Sequence, residues 1–195
     1  MSDSVDAVRG AALKPFVSWY ARAKGPLGLE RALARLSADE RRLFDPAKTG
    51  LGVSVTDWYP APVVHAMLDG LLDGLDARER AALAAEGADQ AMAASFDGVL
   101  GTAFRVLVSP QLCAVAAPRL WHGFYKGGRV RVRPQGRRCH VMDVSQWPGH
   151  HPFLCAMNNA SGRAIYRATG CDDVTTEHAA CIARGDRSCV YVIRW

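Results

Sequence analysis

The stretch TEHAACIARGDRSCVYVIRW, residues 176–195, decides the fold that we predict for this chain. Its pattern indicates a short helix, a tight Gly-Asp turn and a closing strand. On a helix, His178 and Cys181 would share one face, because they are three residues apart. The turn would bring Cys189 back beside them, and Cys155 lies upstream as a fourth ligand. Three cysteines and one histidine form a common closed tetrahedral zinc set, so the stretch predicts a structural zinc site.

A second interpretation of these four residues stays open. Free cysteine is among the most buried residue types, so a packed core without metal would contain the same side chains. Cys171 is a spare sulfur ligand that can take the place of Cys155. Both interpretations place the residues in the interior, where the last strand meets the element before it.

The rest of the chain predicts helices first and a sheet last. Residues 7–16, which contain Pro15, predict an extended edge segment. Helices are predicted over residues 17–24 and 26–36, with a break at Gly25-Pro26, and leucines with helical spacing mark the second of them. A further helix is predicted over residues 97–117, with a break near Ser109. Alternating arginine and valine over residues 129–133 predict a strand, and residues 139–144 can return as its partner. We therefore predict an α+β fold, in which an N-terminal helical layer packs on a small antiparallel sheet formed mainly by the C-terminal third.

Length and composition limit the class of protein. At 195 residues we expect a single domain over 1–195, mainly helical over 1–120, with the sheet and the zinc site in 121–195. No apolar run approaches the ~20 residues of a membrane span, and the polar N-terminus does not resemble a signal peptide. All six cysteines lie at or after Cys113. We therefore expect a cytoplasmic protein with reduced or metal-bound cysteines. Its net charge of +5 permits an acidic partner.

The pattern His178-x-x-Cys181-x7-Cys189, with Gly185-Asp186 between the cysteines and Cys155 upstream, resembles the end of the 4-vinyl-reductase domain family. That family includes the sensor domains of phenol-responsive bacterial activators. In it, a Glu-x-x-Cys, a Gly-Asp and two further cysteines mark a structural zinc site. His178 stands where the family has glutamate, and Glu177 is one residue away.

The resemblance covers the C-terminal part of the chain, from about residue 120 onward. The N-terminal part resembles a second family, of uncharacterised myxobacterial paralogues, through Trp58-Tyr59-Pro60. That second resemblance implies no function.

The first resemblance implies a non-enzymatic, regulatory sensor module that binds a small apolar or aromatic ligand, forms a homodimer and signals through a separate partner protein. Six aromatic residues are candidate walls of the ligand pocket: Trp121, Phe124, Tyr125, Trp147, Phe153 and Tyr166. The alternative is a dimeric scaffold of the same fold without a small-molecule ligand. The family name refers to pigment reduction, but nothing in the sequence resembles a hydride-donor site, so we do not expect an enzyme.

Two further patterns have simpler interpretations. His150 and His151, with His122 and His140 elsewhere in the chain, suggest a haem or second metal site, but we interpret the pair as part of a polar loop that carries two histidines. Five arginines over residues 129–138 resemble a basic surface, but no aromatic residues are interleaved with them. We therefore interpret them as the solvated face of an edge strand and expect no nucleic-acid binding.

Overall fold

The N-terminal half of the chain folds into helices, as the leucine spacing predicts. The computed structural model describes residues 6–96 and 108–195. Its first five α-helices are α1 Gly10–Lys24, α2 Pro26–Ala34, α3 Ala38–Arg41, α4 Ala61–Leu71 and α5 Ala77–Phe96. Two more follow in the C-terminal half, α6 Pro110–Phe124 and α7 Pro152–Ala168. The helix expected before Ser109 lies outside the described residues.

Local signals set several of these helix boundaries. Gly25 adopts a positive φ of 81° between α1 and α2, and Pro26 occupies the first turn of α2. Ser37 and Glu40 form a reciprocal capping box at the start of α3. Asp76 and Glu79 bond each other's backbone N–H in the same way at the start of α5, both at 2.8 Å.

Near the N-terminus, the extended segment predicted over residues 7–16 is present only as a short strand, which pairs with a second short strand. β1, Ala7–Arg9, pairs with β2, Trp58–Pro60, in a small antiparallel ladder. The expected extended segment over 7–16 is wrong beyond Arg9, because the chain enters α1 and keeps Pro15 inside it. Its first N–H groups donate to the carbonyls of Asp57 and Val55, so tertiary contacts hold the start of this helix.

The main sheet has four antiparallel strands in the order β3-β4-β6-β5, which confirms the predicted α+β fold. The strands are β3 Arg129–Pro134, β4 Cys139–Ser145, β5 Thr175–Ala180 and β6 Ser188–Arg194. The predicted helix around His178 is wrong, since this segment is β5. It pairs with β6, with His178 opposite Tyr191, and backbone pairing across the chain overrides the local preference.

Helix α7 lies between the sheet and α5. Its Cys155 meets Cys189 of β6, and a Cβ on Gly162 would stand 3.3 Å from Ile193 Cδ1, so helix and strand approach closely. On its other side, Arg163 pairs with Asp89 of α5 at 3.1 Å. The main core cluster runs from the first helix through to β6. We call the face of the sheet toward α7 the inner face, and the opposite one the outer face.

Within the described residues, every helix is too short or too polar to cross a lipid bilayer.

Candidate functional site

Four potential metal ligands meet where α7 begins beside β6. The ligand atoms of His150, Cys155, Cys181 and Cys189 all lie within 4.8 Å of one another. The Sγ atoms of Cys155 and Cys189 are 3.2 Å apart, and His150 Nε2 is 3.6 Å from Cys181 Sγ. The three cysteines are buried free thiols, whereas His150 is half-buried. We call these four residues the cysteine–histidine cluster.

The elements that position the cluster come from three parts of the chain. Cys155 stands in the first turn of α7, where its N–H donates to the carbonyl of His151 at 3.0 Å. Cys181 follows β5, and its N–H donates to the carboxylate of Asp186 at 2.7 Å. Asp186 thereby closes the Gly-Asp turn that the sequence predicts, with Gly185 at φ 87°. Cys189 lies in β6, on its buried inner face.

The hydrogen bond between Cys155 and Cys189 shifts the pKa values of the two thiols in opposite directions. It lowers the pKa of Cys189, which accepts the bond as a thiolate, and raises the pKa of Cys155, which donates it. Burial raises the pKa of Cys181. Cys189 is therefore the most acidic thiol of the cluster, and because metal ligands bind deprotonated, an incoming cation would displace the protons of the thiols.

His178, the predicted histidine ligand, lies beside the cluster and outside its four-atom set. Its ring stacks on Tyr191, with ring centroids 4.9 Å apart. His178 Nε2 and the Tyr191 hydroxyl are both buried, without a nitrogen or oxygen partner, and lie next to the sulfurs of Cys189 and Cys155. These two residues therefore border the cluster.

The two spare ligands named from sequence lie elsewhere. Glu177 points to the outer face and pairs with Arg194 at 3.2 Å. Cys171 follows the end of α7, 3.5 Å from Thr169 Oγ1, and packs with the small second core around Tyr166.

The six aromatic residues expected to line a pocket divide into separate places. Trp121, Tyr125 and Trp147 contact one another, with ring centroids 4.3 to 5.1 Å apart. The other three lie apart from this aromatic cluster: Phe153 packs on Phe16, Tyr166 belongs to the second core, and Phe124 is 38% exposed.

His150 is the site residue that sequence reasoning missed. It lies in the loop over residues 146–151, which reaches the cluster only after the chain has folded. The available signal was its place five residues before Cys155, just ahead of the proline that opens α7. Trp147 packs edge-on against His150, with ring centroids 5.5 Å apart, and so connects the aromatic cluster to the cysteines.

The same loop also contacts α4. His151 Nε2 stands 3.3 Å from Asp69, and the carbonyl of Gly149 lies 3.1 Å from His65 Nε2. The rings of His65 and His151 are 5.2 Å apart. A change in the position of His150 would therefore affect the contacts of this loop with α4 as well as those with the sheet.

Comparison with known proteins identifies the fold. No protein-family model matches the sequence, and no curated protein matches it significantly. Solved H-NOX proteins match the structure over nearly the whole chain. An H-NOX protein from K. algicida, in its Fe(II) unliganded form, has a TM-score of 0.63 at 9% identity and 95% coverage of both chains. An H-NOX protein from S. oneidensis in the Fe(II)NO ligation state has a TM-score of 0.59 at 10% identity, covering 95% of this chain and 98% of that one.

A third match comes from a study of haem distortion in the H-NOX family, with a TM-score of 0.64 at 9% identity, covering 96% of this chain and 94% of that one. At such low identity the likeness shows the fold alone.

These matches correct two predictions. The resemblance to the 4-vinyl-reductase domain family is wrong, since the solved structures with this fold are H-NOX proteins. The prediction of zinc as the resident cofactor is also wrong, because the matching structures are described with Fe(II) and haem. Cysteine and histidine spacings misled the assignment because any small thiol cluster at the end of a sheet produces similar ones.

Proposed function

We propose that this protein is a non-enzymatic sensory module with the H-NOX fold, and that its input is a thiophilic metal ion received at the cysteine–histidine cluster. The convergence of four ligand atoms within 4.8 Å carries the proposal. Thiolate and imidazole ligands select soft or borderline transition-metal ions over magnesium and calcium. His178 and Tyr191 support it, since their buried polar atoms lie next to the sulfurs of Cys189 and Cys155.

The ion in this proposal is exchangeable and is not a resident structural one. Three ligands are buried, but the fourth, His150, is half-buried and stands on a loop. A loop ligand provides a route by which the ion enters and leaves. Binding would fasten the loop to β6, and the contacts of Trp147 and His151 would pass that restraint to α6 and α4. A ligand shifts a conformational equilibrium in this way when it binds one arrangement more tightly than the other.

The H-NOX fold suggests haem as a ligand, but haem does not fit the residues that the structure describes. All six histidines are described, and a haem ligand must face an apolar cavity. His122 is exposed, and four others face polar partners, namely His65, His140, His150 and His151. His178 lies against Tyr191 of the sheet. Residues 97–107 contain no histidine, cysteine, methionine or tyrosine.

Packing also disfavours a large flat ligand. Trp121, Tyr125 and Trp147 are each at most 7% exposed and occupy the space beside the sheet with their own rings.

A haemin titration tests this part of the proposal. We expect only weak, unsaturable changes in absorbance, because five of the six histidines are held by polar or ring contacts and His122 lies on the surface. His122→Ala should leave the titration curve unchanged. A sharp Soret band that saturates at one haem per chain and is lost on replacing a single histidine would contradict the assignment.

Cobalt(II) tests the metal site itself, because tetrahedral thiolate coordination gives it intense charge-transfer absorption. We expect one cobalt ion per chain, with His150→Ala weakening binding by at least about 10-fold. His178→Ala is the matched comparison and should keep the tetrahedral spectrum. The reverse ranking would restore His178 as the fourth ligand, and no cobalt binding at all would remove the proposed input site.

The filled aromatic cluster also favours a second candidate function, an interaction protein without a small ligand. The cobalt titration separates the two functions. A scaffold would bind cobalt weakly, and its melting temperature would not change when the ion is added.

A further inference from the structure

The outer face of the sheet carries features that the proposed sensory function does not use. Successive side chains of a strand alternate between faces, and those of Val130, His140 and Cys189 point to the inner face, where α7 packs. The outer face therefore receives Arg129, Arg131 and Arg133 from β3. Beside them stand Val141 and Val190, both half-buried. The three rows across this face begin with an arginine and run Arg129–Ser145–Ser188, Arg131–Asp143–Val190 and Arg133–Val141–Val192, so the apolar residues lie beside Arg133 and toward β6.

The positive charge of the chain is concentrated at this edge. Residues 129–138 contain five arginines and no acidic residue, and five equals the net charge of the whole protein. All five arginines are exposed, and none of them forms an ion pair with a described residue. Other exposed arginines do form pairs, for example Arg42 with Asp39 at 3.1 Å. Asp143, opposite Arg131 on β4, is half-buried and offsets part of this charge, which leaves the row of arginines positive overall.

β3 is also an edge strand of the sheet that the structure describes. Its backbone pairs with β4 on one side, α6 packs against it, and no strand among the described residues pairs with its other side, which leaves that side for a further strand. Extended peptides add to such edges, with main-chain hydrogen bonds supplying affinity and alternate side chains supplying specificity.

Charge decides which occupant fits. A second copy of this chain would bring the two arginine rows together, and like charges on paired strands are destabilising. Single-stranded nucleic acid uses aromatic platforms for stacking, and the described outer face of this sheet has no aromatic residue. An acidic extended segment would neutralise the arginines and would also form hydrogen bonds with the backbone of β3.

We propose that β3 is the docking edge for an extended acidic segment of a partner protein. The segment alternates acidic and β-branched residues. Its acidic side chains lie over Arg129, Arg131 and Arg133, and its apolar side chains continue the row of Val130 and Val132 on the inner face. Its backbone extends the sheet as a fifth strand.

A fluorescein-labelled peptide of alternating glutamate and valine is the probe, followed by fluorescence anisotropy with the full chain. Replacing Arg129, Arg131 and Arg133 together by glutamine should weaken binding about 10-fold or more, since several exposed ion pairs act together. The matched control replaces Arg22, Arg78 and Arg167, which are exposed elsewhere and remove the same charge. It should change binding by less than about twofold.

A second measurement tests the strand addition. The same peptide with N-methyl groups on alternate backbone nitrogens keeps its charge but cannot form the full set of main-chain hydrogen bonds with β3. We therefore expect the wild-type protein to bind the methylated peptide as weakly as the triple arginine variant binds the unmethylated one. Four results would overturn the proposal: no binding of the acidic peptide, equal losses in both triple variants, tighter binding of poly(U) RNA, or a dimer that the β3 variant dissociates. Circular dichroism of each variant verifies that the surface substitutions leave the fold intact.

Discussion

Replacing Cys189 by serine is expected to weaken cobalt(II) binding by more than about 100-fold, since even outer-shell changes cost 10- to 100-fold in metal sites. The hydrogen bond from Cys155 lowers the pKa of Cys189. Cys189 is therefore the thiol of the cluster that yields its proton most readily to an incoming cation. A serine hydroxyl is a poor ligand for a thiophilic ion and stays protonated.

The measurement is a competitive titration of wild type and variant with cobalt(II) and a chelator of known affinity. Cys139→Ser is the control, because Cys139 lies on β4 outside the cluster, with its Sγ 4.0 Å from Gln135 Oε1. Cys189→Ala, which leaves no polar atom in the core, distinguishes loss of the ligand from loss of the fold. Wild-type affinity in both Cys189 variants would show that the cluster is packing and not a metal site.

Replacing Trp147 by alanine is expected to lower the free energy of unfolding by about 3–5 kcal/mol, the usual cost of removing a buried large aromatic side chain. Trp147 is 3% exposed and packs edge-on against Trp121 and Tyr125. The same substitution should weaken cobalt(II) binding, because Trp147 also supports the ring of His150. The Trp147 side chain thus contributes both to the stability of the core and to the position of His150 in the site.

Chemical denaturation measures the first effect and cobalt titration the second. Trp58→Ala is the matched control, since Trp58 is half-buried and lies between the charged groups of Arg9 and Lys126, away from the cluster. We expect it to cost less stability and to leave cobalt binding unchanged. A Trp147→Ala variant as stable as wild type would contradict the observed packing.

The candidate site could be predicted in part. Cys155, Cys181 and Cys189 stand out in the sequence because they are few, clustered and near a Gly-Asp turn, and the structure brings them together. The fourth member could not be chosen from spacing. His178 is nearer in sequence to Cys181, but pairing with β6 turns its ring toward Tyr191, whereas His150 arrives from a loop about thirty residues upstream.

The family resemblance failed for a related reason. A pattern of three cysteines, one histidine and a turn describes the local end of a sheet and not a whole fold. The H-NOX likeness is visible only when the full course of the backbone is compared, at identities of 8–10%.

The sequence by itself determined the features that depend on neighbours a few residues away. These include the break at Gly25, the capping boxes that open α3 and α5, the hairpin of β3 and β4, and the order of helices before sheet. Only the tertiary structure decided that the segment around His178 is a strand, that His150 completes the cluster, and that three aromatic rings contact one another. The physical reason is that caps and turns are satisfied within one turn of chain, whereas strand pairing, side-chain packing and ligand convergence join distant segments whose relative position no local pattern encodes.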